Sequence, residues 1–340
     1  MTEFQLGLTL IGVLAIVGVI VFNRVQERRA SKRAERAFGS QHEDVLLAEA
    51  PQRREPTLGP TAIRQTNFEM TPSTLALPDP VLDYVIAVSP ARLLPATAFL
   101  EYWIPLEHRF AKRVMAAGRE ERGAWKLVSH ADAATYGAFQ IALQLVSRAG
   151  VVSESELIEF RSGVENLAAT LGASAVAPEM KQAMDRAREL DQFCADADIQ
   201  ILLNLVPAAG SAFPEATLES AIAAAGFDRL ADGQHVLRDA HGRVLYAVFA
   251  VGGERDREIA KLAFSLDVPR TPEVRKTYES LARFARQLAV GLGGSLTDDN
   301  GRPIDEQSLA AIGAELDAVS QALETRGLPP GEPLALRLFS

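Results

Sequence analysis

Cysteine is almost missing from this chain. Cys194 stands alone, which excludes an internal disulfide and points to a reducing compartment. The surrounding ELDQFCADAD reads as a helix end that leaves the thiol half-buried and inert. Histidine is scarce as well, and His42, His108, His130, His235 and His241 are scattered without the spacing of a metal site. A phosphate-cradling loop is missing too, because GLGG (291–294) follows a helical pattern instead of joining a strand to a helix. Asp298, Asp299 and Asn300 carry oxygen ligands. The glycine after them comes too early for a calcium loop, however, and no glutamate sits at its twelfth position, so turn chemistry accounts for the group. Excess positive charge is also lacking, and a net charge of −9 excludes an electrostatic footprint for nucleic acid. The expectation is a protein that is not an enzyme and carries no cofactor and no metal.

What the chain has instead begins at its N-terminus. Leu6–Phe22 is a run of 17 residues without charge and with Thr9 as its one polar side chain, long enough with Phe4 and its flanks to cross a hydrocarbon core of about 30 Å. No positive charge precedes the run and no small-residue cleavage site follows it, so it reads as an uncleaved anchor, not a signal peptide. Arg24, Arg28, Arg29, Lys32, Arg33 and Arg36 follow it, and basic flanks stay in the cytoplasm. The sequence therefore predicts a single-pass membrane protein, held in the lipid bilayer by Leu6–Phe22, with its N-terminus on the far side and the rest cytoplasmic. The same basic cluster can touch anionic headgroups.

The anchor (1–23) leads into a basic juxtamembrane segment and proline-bearing linker (24–80). As a flexible coil, its proline-bearing part would reach roughly 35 Å. Beyond Pro80 short strands alternate with helices. Ser153 and Glu156 form a capping box ahead of Leu157, Phe160, Val164, Leu167 and Leu171 on one helical face. A related order begins again at IQILLNLVP (199–207). An offset of 121 lays Trp125 on Tyr246, Leu143 on Phe264, Leu157 on Tyr278 and LGAS (171–174) on LGGS (292–295), and at the opening strand the offset is 117. This reads as two copies of one α+β module, 81–195 and 196–330, followed by a tail, 331–340. In the second copy Thr271-Pro272 reads as a cap with a first-turn proline, and hairpins are expected at His241-Gly242 and Asn300-Gly301. The connections are too short for parallel crossovers, so each sheet should be mostly antiparallel with helices on one face.

Such a sheet leaves a second face to account for. Alternation sends Leu203 and Leu205, Leu262, Phe264 and Leu266, and Tyr246 and Val248 toward the helices. It sends Gln200, Leu202 and Asn204, Ala263 and Ser265, and Ala247, Phe249 and Val251 to the other side. A shallow apolar strip around Leu202, Phe249 and Val251 follows, of the kind that marks a partner site. The alternative is that the first module packs over it.

The anchor, its basic flank, the linker and the order ILLNLVP…LESAIAAAGF…LYAVFAV…SLDVP…LARFARQLAVGLGGSLTDDNGRPID resemble ZipA-type bacterial cell-division proteins. The resemblance implies a split β-α-β fold whose open sheet face binds the C-terminal tail of FtsZ, tethering FtsZ polymers to the inner membrane at the septum. It also implies that the membrane crossed by Leu6–Phe22 is the cell inner membrane, which makes the N-terminus periplasmic. Carried over position by position, it implies a cleft of Gln200, Leu202, Asn204, His235, Leu237, Ala247, Phe249, Val251, Ala263 and Ser265. The chain departs from the family pattern in having Gly233 and Ser265 in place of large anchors and in residues 81–195, which have no counterpart. The corresponding face of the first module, read as carrying Lys126, His130 and Gln144, looks too polar for a second cleft. A membrane-anchored sensor or scaffold, whose modules bind a small ligand or each other, stays open as the competing function, and so does a homo-oligomer.

Overall fold

The structure, a computed structural model, describes residues 76–110, 113–209, 211–252 and 258–340. The expected anchor at Leu6–Phe22 and the linker up to residue 75 lie outside the described residues. Among the described residues no helix is long and apolar enough to cross a membrane.

The fold is mixed α+β, and among the described residues every strand pairs antiparallel. Its elements follow in the order β1 (Asp83–Pro90), β2 (Leu94–Pro95), α1 (Ala96–Glu107), β3 (Val114–Arg119), β4 (Trp125–Leu127), β5 (Thr135–Tyr136), β6 (Ala138–Gln144), β7 (Val146–Ser147), β8 (Gly150–Val151), α2 (Glu154–Thr170), β9 (Ala173–Val176) and α3 (Met180–Ala197). The second half runs β10 (Gln200–Pro207), β11 (Phe213–Pro214), α4 (Glu215–Ala224), β12 (Asp228–Arg229), β13 (His235–Arg238), β14 (Val244–Gly252), β15 (Glu258–Asp267), a 3-10 turn (Val268–Arg270), α5 (Val274–Leu292), β16 (Gly294–Thr297), α6 (Glu306–Thr325) and α7 (Pro333–Leu338).

The first sheet has the order β4-β3-β6-β1-β9 and the second β12-β13-β14-β15-β10-β16. Both place the opening strand between a long strand and the short strand that follows a long helix. The repeat stops at the hairpin. In the first sheet the earlier strand, β3, lies inside β4, whereas in the second the later strand, β14, lies inside β13. The offset of 121 thus lays Trp125 of an edge strand on Tyr246 of an interior one.

Helical periodicity decides what each helix buries. In α5, Val274, Tyr278, Leu281, Ala285 and Leu288 recur at spacings of three and four and are all buried. In α2 the capping box forms as expected, with the Ser153 hydroxyl accepting from the Glu156 N–H at 3.2 Å and the Glu156 carboxylate accepting from the Ser153 N–H at 2.7 Å. Thr271 is not the cap of α5. Its hydroxyl donates to the Asp267 carbonyl at 2.7 Å, and the position before the helix is Glu273 in a left-handed conformation with φ of 45°. The chain needs that bend because Thr271 is held down among the strand ends.

Residues of the expected second copy and of the expected tail lie in the first core. Leu323 and Leu328, with Leu338 and Phe339 at and just beyond the end of α7, are buried among Tyr84, Phe160 and Leu190. Arg148 joins the halves by donating to Asp198 at 2.5 Å and to Asp267 at 2.8 Å. At the base of the first sheet Arg337 and Asp83, both without exposure, form an ion pair of 2.5 Å.

Cys194 is partly buried, and burial, followed by the charges of Asp198 and Asp191, pushes its thiol up to about 12. The thiolate is the reactive form, so a maleimide at pH 8 is expected to label the unfolded chain and to leave the folded one unmodified. Rapid labelling of folded protein would show that the site is open.

Candidate partner-binding face

The second sheet separates its two faces by the pairing of its strands. Residues directly opposite each other in an antiparallel pair point the same way. Leu203, Val248 and Phe264 form one row, fully shielded and packed with Leu218 and Ile222 of α4 and Tyr278 and Leu281 of α5. The rows between face away from that core. Leu202 pairs with Ser265 and Ser265 with Ala247; Asn204 pairs with Ala263 and Ala263 with Phe249; Val251 pairs with Lys261, and Gln200 with Asp267. The structure thus brings Gln200, Leu202, Asn204, Ala247, Phe249, Val251, Ala263 and Ser265 together on one face.

His235 and Leu237 are the exceptions. They pair with Val248 and Tyr246, on the helix side, and it is Val236 that meets Ala247. The cause is a bulge between Leu237 and Arg238. Counting back from the Arg238–Val244 pair without it would set His235 against Ala247, and one extra residue reverses the parity of everything beyond. His235 is buried, with Nε2 3.2 Å from the Glu219 carboxylate of α4. Val236 therefore joins the open face, a residue that alternation misses because nothing in HVLRDAHGRV marks the bulge.

Across this face, small side chains form a floor and larger ones a rim. Ala247 and Ala263 are buried, Leu202, Phe249 and Ser265 are half-buried, and Val251 is 40% exposed. Gln200 Nε2 donates to Ser265 Oγ at 2.6 Å, which fixes one end. Near the other end Asn204 Nδ2 donates to the Asp298 carbonyl at 3.0 Å. Its Oδ1 is buried with no donor among the described residues. An unpaired buried acceptor costs free energy until something donates to it, and on a sheet face the N–H of an extended peptide is a fitting donor. Gly233 has φ of 85°, a conformation that glycine adopts without strain. Its place in the tight turn between β12 and β13 explains why no large anchor occupies that position.

No curated protein matches the chain. Residues 199–315 do match a family model, and that range covers β10 to β16, the whole face just described, and runs into α6. The family is described as ZipA, C-terminal FtsZ-binding domain, and this part of the chain, built on the second sheet, is similar to that domain.

Proposed function

We propose that the chain is a bitopic inner-membrane adaptor, anchored by Leu6–Phe22, whose second sheet takes up the C-terminal tail of FtsZ and so tethers FtsZ polymers to the membrane at the division septum. One observation carries the reading. The residues that match an FtsZ-binding domain build a face with an alanine floor, an apolar rim at Leu202, Phe249 and Val251, and an unpaired acceptor at Asn204. Apolar tail side chains would lie between the rim residues while the peptide backbone donates to Asn204. No step in this role needs catalysis.

The full chain reconstituted in vesicles should carry FtsZ polymers along when the vesicles float, and FtsZ lacking its C-terminal tail should stay behind. Equal flotation of both forms would place the contact elsewhere on FtsZ, and flotation of neither would end the tether reading. Topology has its own check. A reporter joined after Ser340 should behave as cytoplasmic, because the basic cluster follows the span, and periplasmic activity would put the binding face in the wrong compartment.

A further inference from the structure

The first sheet has an open face of its own, which the polar reading from sequence hides. Lys126 pairs with Gly118 and lies on the helix side, over the Tyr136 ring. His130 pairs with Glu107 of α1, also on the helix side. Gln144 is buried at the sheet's end, bonded to the carbonyls of Val146 and Arg337. What faces outward is a set of rows. Val85, Ala142 and Met115 form one. Val176, Ala87, Gln140, Ala117 and Leu127 form the next, and Ser174, Ser89, Arg119 and Trp125 close the far end. Ala117 and Ala142 are fully shielded, yet neither belongs to the core cluster, and they make the floor of a channel. Its rims are Val85 and Val176 on one side and Leu127 and Trp125 on the other. Val176 is 70% exposed, more than a valine in a sheet ordinarily leaves to water without a partner.

The chain that precedes the described residues starts at the mouth of this channel. The Leu77 carbonyl accepts from Arg337, and Arg337 also reaches Asp83, two residues before Val85 of the first row. Phe68 lies nine positions before Leu77 in the sequence, and at about 3.3 Å per extended residue nine steps span roughly 30 Å. From Asp83 to Ser89 the channel runs about 20 Å at the same rise, so Phe68 and Met70 can reach every row. In NFEMTPSTL (67–75) Phe68 and Met70 alternate with Glu69, a pattern that would let one side of an extended strand be apolar and the other wet. Pro72 has no N–H to give to a sheet edge, which suits a segment lying across a face and not one added to an edge.

We infer that residues 67–75 of this same chain occupy the outer face of the first sheet, with Phe68 and Met70 in the channel between Val176 and Trp125. A segment tethered this closely is present at an effective concentration of about millimolar, so weak contacts suffice to hold it. Docking removes those residues from the free linker and fixes the direction in which the tether leaves the folded part. The inference does not depend on what the second sheet binds.

Trp125 reports on it, because the chain has two tryptophans and Trp103 is 2% exposed inside the core. In the full chain in detergent, Phe68→Glu with Met70→Glu should shift emission to the red and raise acrylamide quenching, and Ala87→Glu, at an exposed position on the sheet, should do the same from the other partner. A peptide of residues 64–76, added at about millimolar concentration to the Phe68→Glu, Met70→Glu protein, should restore the protected emission, and adding it to Ala87→Glu should not. Unchanged emission and quenching in both variants would overturn the inference. So would protection that depends on protein concentration, which would mark a second copy as the occupant, or protection that appears only with an FtsZ tail peptide.

Discussion

Phe249→Glu is expected to abolish binding of the FtsZ tail while leaving the fold largely intact. Phe249 sits on the face away from the core, paired with Ala263 beside Asn204, where an incoming peptide would cover it. Loss of a central aromatic contact typically costs about 2 kcal/mol or more, which is a factor of roughly 30 in affinity, and a buried carboxylate would add to that. Its folding cost is smaller because the side chain is half-buried and outside the core cluster. Titrating the full chain with a tail peptide and recording its melting curve separates the two effects. His235→Ala is the parity control: it faces Glu219 on the helix side, so it should leave affinity unchanged. If instead His235→Ala removes binding and Phe249→Glu unfolds the protein, the register of the face is reversed. If the unaltered chain does not bind the peptide at millimolar concentration, the small residues at Gly233 and Ser265 have removed the activity.

The second large effect lies at Asp83 and Arg337. The Asp83 carboxylate accepts from Arg337 at 2.5 Å and from the Asp79 N–H at 2.8 Å, and neither side chain of the ion pair is exposed. Asp83→Ala leaves a guanidinium that cannot shed its proton, and removing one partner of a buried pair costs about 3–5 kcal/mol. Arg337→Met should cost less, for a reason that pH reveals. Burial pushes the Asp83 carboxyl up, against the pull of Arg337, and without Arg337 it rises further and the acid takes up a proton. A group whose folded pKa exceeds its unfolded one contributes stability below the unfolded value, about 3.9 for aspartate, and loses it as pH rises through the folded value. Denaturant titrations should therefore find Arg337→Met closer to the unaltered protein at pH 4 than at pH 7. Asp83→Ala should show no such recovery. Removing both charges, as Asp83→Leu with Arg337→Met, should restore much of the loss, and failure to do so would mean that the pair supplies packing more than charge.

Much of this was legible in the sequence where period and parity act locally. The buried face of α5 follows from spacing alone, and so does the inward row of Leu203, Val248 and Phe264. The open face was legible for the same reason in β10, β14 and β15, and lost in β13, where a bulge that no side chain announces moved His235 and Leu237 to the other side. Lys126 and Gln144 misled for a related reason: a residue's polarity does not say which face it occupies until its partner strand is known, and β4 pairs with β3, not with β6. Least legible was the destination of residues 331–340. Leu334, Leu336, Leu338 and Phe339 make too short a pattern to name a partner, and their partners are among the most distant in sequence.

That distance bears on how the chain reaches its native state. Arg337 meets Asp83 across 254 positions of sequence, and Leu338 and Phe339 complete a core that opens at Leu82. A ribosome would have to make the whole second sheet before the first could finish folding, so early strands such as β1 and β6 would wait with part of their apolar surface uncovered. The second sheet closes over shorter separations and can form first. Contacts so far apart in sequence slow the search for the native state, and at usual synthesis rates of about 5–20 residues per second the unfinished first core would stay open for many seconds, a window in which a chaperone has something to hold.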